Sequence, residues 1–441
     1  MVNNPDNRDE SSRRSFLKNA GLGATSATAL LAGLNQGARA AGADPVIIGC
    51  PLPVTGWAAA DGIEFKRGVE MSAKEINDLG GILGRPIELK FEDTQSGGDD
   101  VISAAGQRLI DKDNACAFIS GYNPGTQTAL QNVVAGASIV YLHADTARAH
   151  TDMVSKEPEK YWGSFMYCPS EIFYGYAYLD FIKHLEDSGQ LKLPNRKIAL
   201  ITGPVAYSIN IAKAIESKAK DYGLEVSLYE SVQLPTTEWG PTLAKLRANP
   251  PGLIAVTHFL PQDQAQFMIQ FMTNPTNSLV YMQYGASLAA FRDIAKDASK
   301  GVLYAINEAV LSDEIGNDFA KKYLAAYGDK ASIHSGVQTY TALQLYAIAA
   351  ALAGGAGKPY EDAQNRKIAA RLTSLIHRGP QGVIRIDPKN HSAYSYPVQT
   401  KDPSLGAPFI FSQIKKKEES GYIISPAPYD VATFEKPSWM K

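Results

Sequence analysis

The chain has 441 residues, of which 45% are hydrophobic and 20% are charged, as in an ordinary globular protein. This length favours two domains or more. The formal net charge is -2, with 43 Lys and Arg against 45 Asp and Glu, so there is no electrostatic footprint for nucleic acid or an anionic membrane surface. We therefore expect a small-molecule or protein partner and no nucleic acid.

The first forty residues have the pattern of an export signal. Arg13 and Arg14 are followed by Phe-Leu-Lys and a mildly apolar run, and residues 38–40 form a small-residue cleavage site. This pattern resembles the twin-arginine signal, which implies a signal peptide over 1–40 and a periplasmic protein exported by the twin-arginine route. The alternative is a chance Arg-Arg pair in a terminal tail.

The three cysteines give no indication of a metal site or of lipidation. Residues 47–50 look like a lipoprotein box ending at Cys50, but they lie well past the apolar run, and Val46 to Cys50 has the pattern of a buried strand. Cys50, Cys116 and Cys168 allow one disulfide at most, and their spacing fits no metal site. We expect small buried thiols.

From Val46 the sequence alternates strand and helix patterns. Strands are predicted at 45–52, 87–92, 116–120 and 138–142, with amphipathic helices between them. A second α/β unit has strands at 197–202, 225–229, 253–257 and 279–282. Such repeats predict α/β units with doubly wound parallel sheets, whose ligands lie at the carboxyl ends of the strands.

The strand at 116–120 ends at Gly121, and Thr126 stands where a helix N-cap belongs. Backbone N–H groups and the positive end of a helix dipole at such a corner favour a small anion, above all a carboxylate. The alternative is an ordinary strand-to-helix connection.

An enzyme is the competing class. The sequence has no Gly-x-Ser-x-Gly, no His-Glu-x-x-His and no Gly-x-Gly-x-x-Gly after the first strand, and residues 353–359 lack the spacing of a phosphate loop. His143, Asp145 and His150 suggest a metal cluster, but adjacent loop residues without a fourth ligand are more typical of surface polar groups. We therefore expect that the protein is not an enzyme and that it binds neither a metal nor a cofactor. The alternative is an exported enzyme with an unrecognised cofactor.

The chain resembles the periplasmic substrate-binding proteins of the branched-chain amino acid (leucine/isoleucine/valine) transport type. The resemblance covers nearly all of residues 46–400 and rests on three motifs: Pro-Val-Thr-Gly at 53–56 followed by Gly62, Glu-Ile-Asn at 75–77 followed by Gly-Gly-Ile-Leu-Gly at 80–84, and Glu-Asp at 92–93.

This resemblance implies a two-lobed type I periplasmic binding protein fold, with two doubly wound parallel sheets joined by a three-stranded hinge. It predicts lobe one at 46–165 plus 306–385 and lobe two at 166–305 plus 386–441. The implied function is that of a monomeric solute-binding component of an ABC importer, which captures a small carboxylate-bearing ligand and delivers it to an inner-membrane ABC permease. The alternative is a periplasmic sensor for amides, urea or aromatic acids that feeds a membrane receptor.

The family's ligand contacts fall on strand-end residues. The full predicted ligand-binding set is Trp57, Asp61, Tyr122, Asn123, Gly125, Thr126, Ala144, Asp145, Thr146, Tyr207, Phe259 and Tyr284. The acid that pairs with the ligand ammonium in amino-acid binders falls near Tyr284, where there is no Glu or Asp, and Asp61, Asp145 or Asp263 is the expected substitute. The aromatic residues in the set favour a ligand with an aromatic or extended apolar part.

Overall fold

The computed structural model describes residues 44–441, so the predicted export signal lies outside the described residues. The first five strands are β1 (Val46–Leu52), β2 (Ile87–Asp93), β3 (Ala117–Ile119), β4 (Val140–His143) and β5 (Ser164–Met166). They form a parallel sheet in the order β2-β1-β3-β4-β5. The strand-helix alternation predicted from the sequence is confirmed here, and Cys50 is buried within β1.

The next five strands are β6 (Lys197–Thr202), β7 (Glu225–Ser231), β8 (Leu253–Val256), β9 (Leu279–Gln283) and β10 (Leu303–Ile306). Two short pairs follow: β11 (Ile376–Gly379) with β12 (Gly382–Arg385), and β13 (Ser395–Tyr396) with β14 (Ala407–Pro408). The last strands are β15 (Ile410–Gln413) and β16 (Tyr422–Ser425). The second sheet has the order β16-β15-β10-β9-β8-β6-β7, in which β15 and β16 are antiparallel to their neighbours and the other strands are parallel.

Helices cover both sheets. In chain order they are α1 (Ala59–Asp78), α2 (Asp99–Asp111), α3 (Ala129–Ala137), α4 (Arg148–Lys156), α5 (Ile172–Asp187), α6 (Ala206–Ala219), α7 (Gly240–Ala248), α8 (Pro261–Phe271), α9 (Ala289–Ala295), α10 (Glu314–Tyr327), α11 (Ile333–Leu352) and α12 (Asp362–Ser374). Short 3-10 turns lie at Lys220–Tyr222, Gly285–Ser287 and Lys296–Ser299. Within residues 44–441, no helix combines the length and the apolarity needed to cross a bilayer.

The lack of a side chain at Gly68 lets α1 and α11 lie close together. A Cβ atom added to Gly68 would lie 1.9 Å from the carbonyl oxygen of Gly336, a distance that no side chain tolerates. The apolar face of α1, which includes Phe65 and Val69, is fully buried. This close approach carries the start of α11 to the start of α1, beside the carboxyl ends of the first sheet.

Each sheet has its own hydrophobic core. The core of the first sheet includes Ile48 and Phe165, and the core of the second includes Ile201 and Tyr281. Ile386, Ala393 and Ala407 pack into the core of the first sheet, so this part of the segment after β12 lies against that sheet. The lobe boundaries remain a prediction. That prediction assigned residues 386–407 to lobe two, whereas these three side chains pack against the sheet of lobe one.

Candidate ligand-binding site

A cavity of about 120 Å³ lies between the carboxyl ends of the two sheets. Its walls come from the loops after β1, β3 and β4 on one side and from those after β6, β8, β9 and β10 on the other, with Tyr174 of α5 and Gln338 of α11. A water molecule needs roughly 10–15 Å³ of such cavity volume. The cavity therefore has room for a small ligand of about ten non-hydrogen atoms. Strand-end loops of both sheets therefore face one small, partly open cavity, as ligand sites in such folds do.

Most of the predicted ligand-binding set surrounds this cavity. Ten of its twelve members line the wall: Trp57, Tyr122, Asn123, Gly125, Ala144, Asp145, Thr146, Tyr207, Phe259 and Tyr284. Asp61 and Thr126 are not among the lining residues. Contact with a ligand remains a prediction for all twelve.

The loop after β3 differs from the predicted anion site. The helix begins at Ala129, and Thr128 stands at its N-cap without a side-chain cap bond, so the prediction that Thr126 caps it is wrong. Thr126 instead donates through its backbone N (2.9 Å) and its Oγ1 (2.7 Å) to the carboxylate of Asp99. The backbone N of Asn123 donates to Asp145 Oδ1 at 2.7 Å. These two N–H groups are therefore engaged by carboxylates of the chain itself.

Asp145 belongs to a buried polar chain. Its Oδ2 lies 2.8 Å from His143 Nδ1, and His143 Nε2 lies 3.1 Å from His150 Nδ1. All three side chains are buried, so the prediction that they are surface polar groups is wrong. Burial, with His143 beside it, lowers the pKa of His150 well below its ordinary value. Among the described residues, no group of three or more His, Cys, Asp or Glu side chains could hold a metal ion.

Three aromatic rings run across the cavity from one sheet to the other. The Trp57 and Phe259 ring centroids are 6.1 Å apart, and Phe259 meets Tyr207 edge to face at 5.5 Å. Trp57 is 48% exposed, which is high for a Trp that lines a cavity. The rings offer apolar surface on the side of the second sheet, with Trp57 at the mouth.

The hydroxyl of Tyr207 is oriented by neighbouring polar groups. Tyr281 donates its hydroxyl proton to Gln283 Oε1, which fixes the orientation of the Gln283 amide. Gln283 Nε2 then donates to Tyr207 Oη at 2.6 Å. Since Tyr207 is the acceptor in that bond, its own proton is left for another acceptor at the cavity wall. The hydroxyl of Tyr174, which lines the same cavity, is one such neighbour, and its hydrogen bond partly offsets the rise that burial causes in the pKa of Tyr207.

Asp61 lies behind the cavity wall, where three hydroxyls converge on it. Its Oδ2 accepts from Tyr122 Oη at 2.7 Å, and its Oδ1 accepts from Tyr284 Oη at 2.9 Å and Ser335 Oγ at 2.7 Å. Burial raises the pKa of Asp61, and the three hydroxyls partly oppose that rise. The carboxyl thus joins α1, the loop after β3, the start of α11 and the end of β9.

Three lining residues have a backbone conformation that L residues rarely adopt. Gln127, Thr146 and Tyr284 have φ angles of +63°, +50° and +54°. Each such position costs on the order of 1–3 kcal/mol and persists only where surrounding contacts enforce it. Gln127 Nε2 bonds to the carbonyl of Asp145 at 2.7 Å, and Tyr284 bonds to Asp61, so both are tied to the polar groups around the cavity.

Eight lining residues were not predicted from the sequence: Pro124, Gln127, Tyr174, Val205, Ala206, Asn307, Glu308 and Gln338. Asn307 and Glu308 follow β10 directly, so their signal was a polar pair at a strand end. Asn307 is locked to Tyr174 by two bonds of 2.8 Å. Glu308 is 4% exposed, and desolvation raises the pKa of its carboxyl well above the ordinary value.

Comparison with known proteins agrees with this architecture. The sequence profile of the family described as periplasmic binding protein matches residues 45–399. Leu/Ile/Val-binding protein homolog 1 of Brucella abortus is 26% identical over 327 residues, which are 73% of this chain and 82% of that protein. Its name denotes a binding protein.

Two solved structures match closely in shape. A protein of Silicibacter pomeroyi described as a branched-chain amino acid ABC transporter is 60% identical, with a TM-score of 0.87 over 90% of this chain and 100% of that one. The branched-chain amino acid transporter substrate-binding protein of Streptococcus pneumoniae, in complex with isoleucine, has a TM-score of 0.68 at 16% identity, over 87% of this chain and 100% of that one. The predicted type I fold is confirmed, and the chain belongs to the periplasmic binding protein family.

Proposed function

We propose that this protein is the periplasmic solute-binding component of an ABC importer and captures a small carboxylate-bearing ligand, an amino acid or a related compound, between two closing lobes. The observation that carries the proposal is Tyr207, whose hydroxyl lines the cavity, accepts from Gln283 and still has its own proton to donate there. A carboxylate is the strongest common acceptor for such a hydroxyl. The names of the Brucella and Silicibacter relatives support an amino acid.

The size and walls of the cavity limit the ligand further. Room for about ten non-hydrogen atoms suits an amino acid of medium size. The rings of Phe259 and Tyr207, which meet at 5.5 Å, favour an apolar or aromatic side chain against the second sheet. These rings also favour a second candidate ligand, an aromatic carboxylic acid without an amino group.

A thermal-shift panel on the mature protein tests the proposal. Amino acids, aromatic acids, and the neutral amides of both are compared at equal concentration. A ligand present at 1,000 times its Kd stabilises the folded state by about 4 kcal/mol, so a specific binder stands out clearly. We expect carboxylates to raise the melting temperature and their neutral amides to do so far less. A response to amides or urea, with none to any carboxylate, would contradict the proposal.

A further inference from the structure

Glu308 is a buried acid that lines the cavity, and one oxygen of its carboxyl has no hydrogen-bond partner within residues 44–441. It is 4% exposed, and its Oε1 has no hydrogen-bond partner among the described residues. No Lys, Arg or His is found among the described residues that line the cavity. A buried polar atom left unpaired is destabilising, and such an atom in a native protein calls for an explanation.

Gln338 of α11 has the same property. Its side chain is 3% exposed and lines the same cavity, and its Oε1 also lacks a hydrogen-bond donor in the described part of the chain. Two buried acceptors around one cavity thus lack donors from the part of the chain that the structure describes. A ligand that carries several N–H groups would satisfy both.

The acids predicted as substitutes for the family's ammonium partner are already engaged. Both oxygens of Asp145 have partners, Asn123 N and His143 Nδ1. Asp61 accepts from three hydroxyls. Asp263 pairs with His258 at 2.7 Å and is not among the lining residues. Of the two carboxyls that line the cavity, Asp145 and Glu308, Glu308 is therefore the one with an oxygen that no described residue pairs.

We propose that Glu308 accepts the protonated amino group of the ligand, with Gln338 as a second acceptor, so that the ligand is a zwitterion held by its two charged ends. The inference rests on the proposed function for the carboxylate end, which Tyr207 receives. It assigns the cation-binding role to the residue pair after β10 rather than to the end of β9, where Tyr284 stands.

Binding of the ligand ammonium should also change the protonation of Glu308. The pKa of Glu308 is raised by desolvation, so the empty site favours the neutral carboxyl, whereas a bound cation favours the carboxylate. The titratable groups that couple to Glu308 are Tyr167, Cys168 and Tyr174, whose pKa values are all raised, so they stay neutral near pH 7. Asp145 shares the cavity but has both oxygens occupied. Ammonium binding should therefore lower the pKa of Glu308 and release a proton at any pH between its pKa in the free site and in the occupied site.

Matched triples of compounds test the assignment by titration calorimetry. One triple is L-leucine, 4-methylpentanoate and 3-methylbutylamine; the other is L-phenylalanine, 3-phenylpropanoate and 2-phenylethylamine. Wild type, Glu308→Gln and the control Glu171→Gln are titrated. Glu171 is a buried acid with a raised pKa, paired with Ser170 and Asn210, and does not line the cavity. Melting of each ligand-free variant verifies folding.

We expect wild type to bind an amino acid on the order of 100-fold more tightly than its deaminated partner, because the buried charge pair is lost. Glu308→Gln should remove most of that preference and leave the deaminated acid within about threefold. Titrations in buffers of different ionisation enthalpy should show proton release for wild type and none for Glu308→Gln. Glu171→Gln should behave like wild type.

The outcomes separate the two proposals. Tight binding of the deaminated acids, with no dependence on Glu308, would overturn the assignment and leave the carboxylate-binding function standing. Binding of the amines alone in a Glu308-dependent way would support the assignment and contradict the carboxylate. A preference for amino acids that survives Glu308→Gln, or binding of no compound in either triple, would overturn the assignment.

Discussion

Tyr284 Oη donates a 2.9 Å hydrogen bond to Asp61 Oδ1, and this bond joins the end of β9 in the second sheet to the start of α1 beside the first. Tyr284 holds this position with a φ of +54°, a conformation that costs a residue with a Cβ atom about 1–3 kcal/mol. A bond between the two sheets exists only when their strand ends are close. It therefore stabilises the arrangement in which the end of β9 lies close to the start of α1.

Replacing Tyr284 with phenylalanine should weaken closure. The ring remains, but the hydrogen bond to Asp61 is lost, at a cost of about 1 kcal/mol or roughly fivefold in affinity. Titration with the best compound of the thermal-shift panel measures the change.

Tyr122→Phe is the matched control for that variant. It removes a 2.7 Å bond to the same carboxyl, but Tyr122 follows β3, on the same side of the cavity as Asp61. We expect it to lower the melting temperature of the ligand-free protein more than it lowers affinity. Equal affinity losses in the two variants would contradict a role for Tyr284 in closure.

Tyr207→Phe tests the carboxylate end of the site. Loss of a hydrogen bond to a charged group costs about 1.5–3 kcal/mol, so we expect a ten- to hundredfold weaker affinity for carboxylate ligands. Tyr178→Phe is the control, because the buried Tyr178 hydroxyl has no hydrogen-bond partner among the described residues and does not line the cavity. An unchanged affinity in Tyr207→Phe would remove Tyr207 from the site.

Glu308 should make the stability of the ligand-free protein depend on pH. Its pKa is raised in the folded state, so the folded protein holds this proton more firmly than the unfolded chain does. The resulting stability is present at low pH and is lost as pH rises through the folded pKa. The melting temperature of wild type relative to Glu308→Gln should therefore fall as pH rises above the ordinary carboxyl pKa of 4.5, and a constant difference would contradict the raised pKa.

Export is expected to depend on Arg13 and Arg14, which lie outside the described residues. Replacing both with lysine should leave the precursor in the cytoplasm, as cell fractionation would show. The mature protein should begin at or near Ala41, by N-terminal sequencing. A membrane-anchored form lipidated at Cys50 would contradict this prediction, and burial of Cys50 within β1 already argues against it.

Much of the cavity wall could be predicted because parallel strands bring their carboxyl ends to one edge. Trp57, Tyr122, Ala144, Tyr207 and Tyr284 each follow a strand that the apolar pattern identified, and each lines the cavity. For these residues, a place directly after a parallel strand in the sequence was enough to predict a place at the carboxyl edge of the sheet.

The site residues that the sequence did not identify correctly are those whose role depends on which partner a side chain contacts in the folded protein. Thr126 follows β3 as predicted, but Asp99 from α2 binds both its backbone N and its hydroxyl, and no local pattern announces that bond. Tyr174 and Gln338 lie within helices, where the sequence does not say which face meets a ligand. Glu308 had the strand-end signal, but its lack of a partner becomes evident only in the packed structure.

Small-angle X-ray scattering of the mature protein, with and without a saturating carboxylate ligand from the panel, tests the central claim most directly. If the cavity between the sheets is where the ligand is captured, binding favours the closed state, whose Tyr284–Asp61 bond spans the two sides. The account predicts a smaller radius of gyration on saturation and a weaker response in Tyr284→Phe. A radius that stays unchanged while calorimetry shows full occupancy would contradict capture by closing lobes.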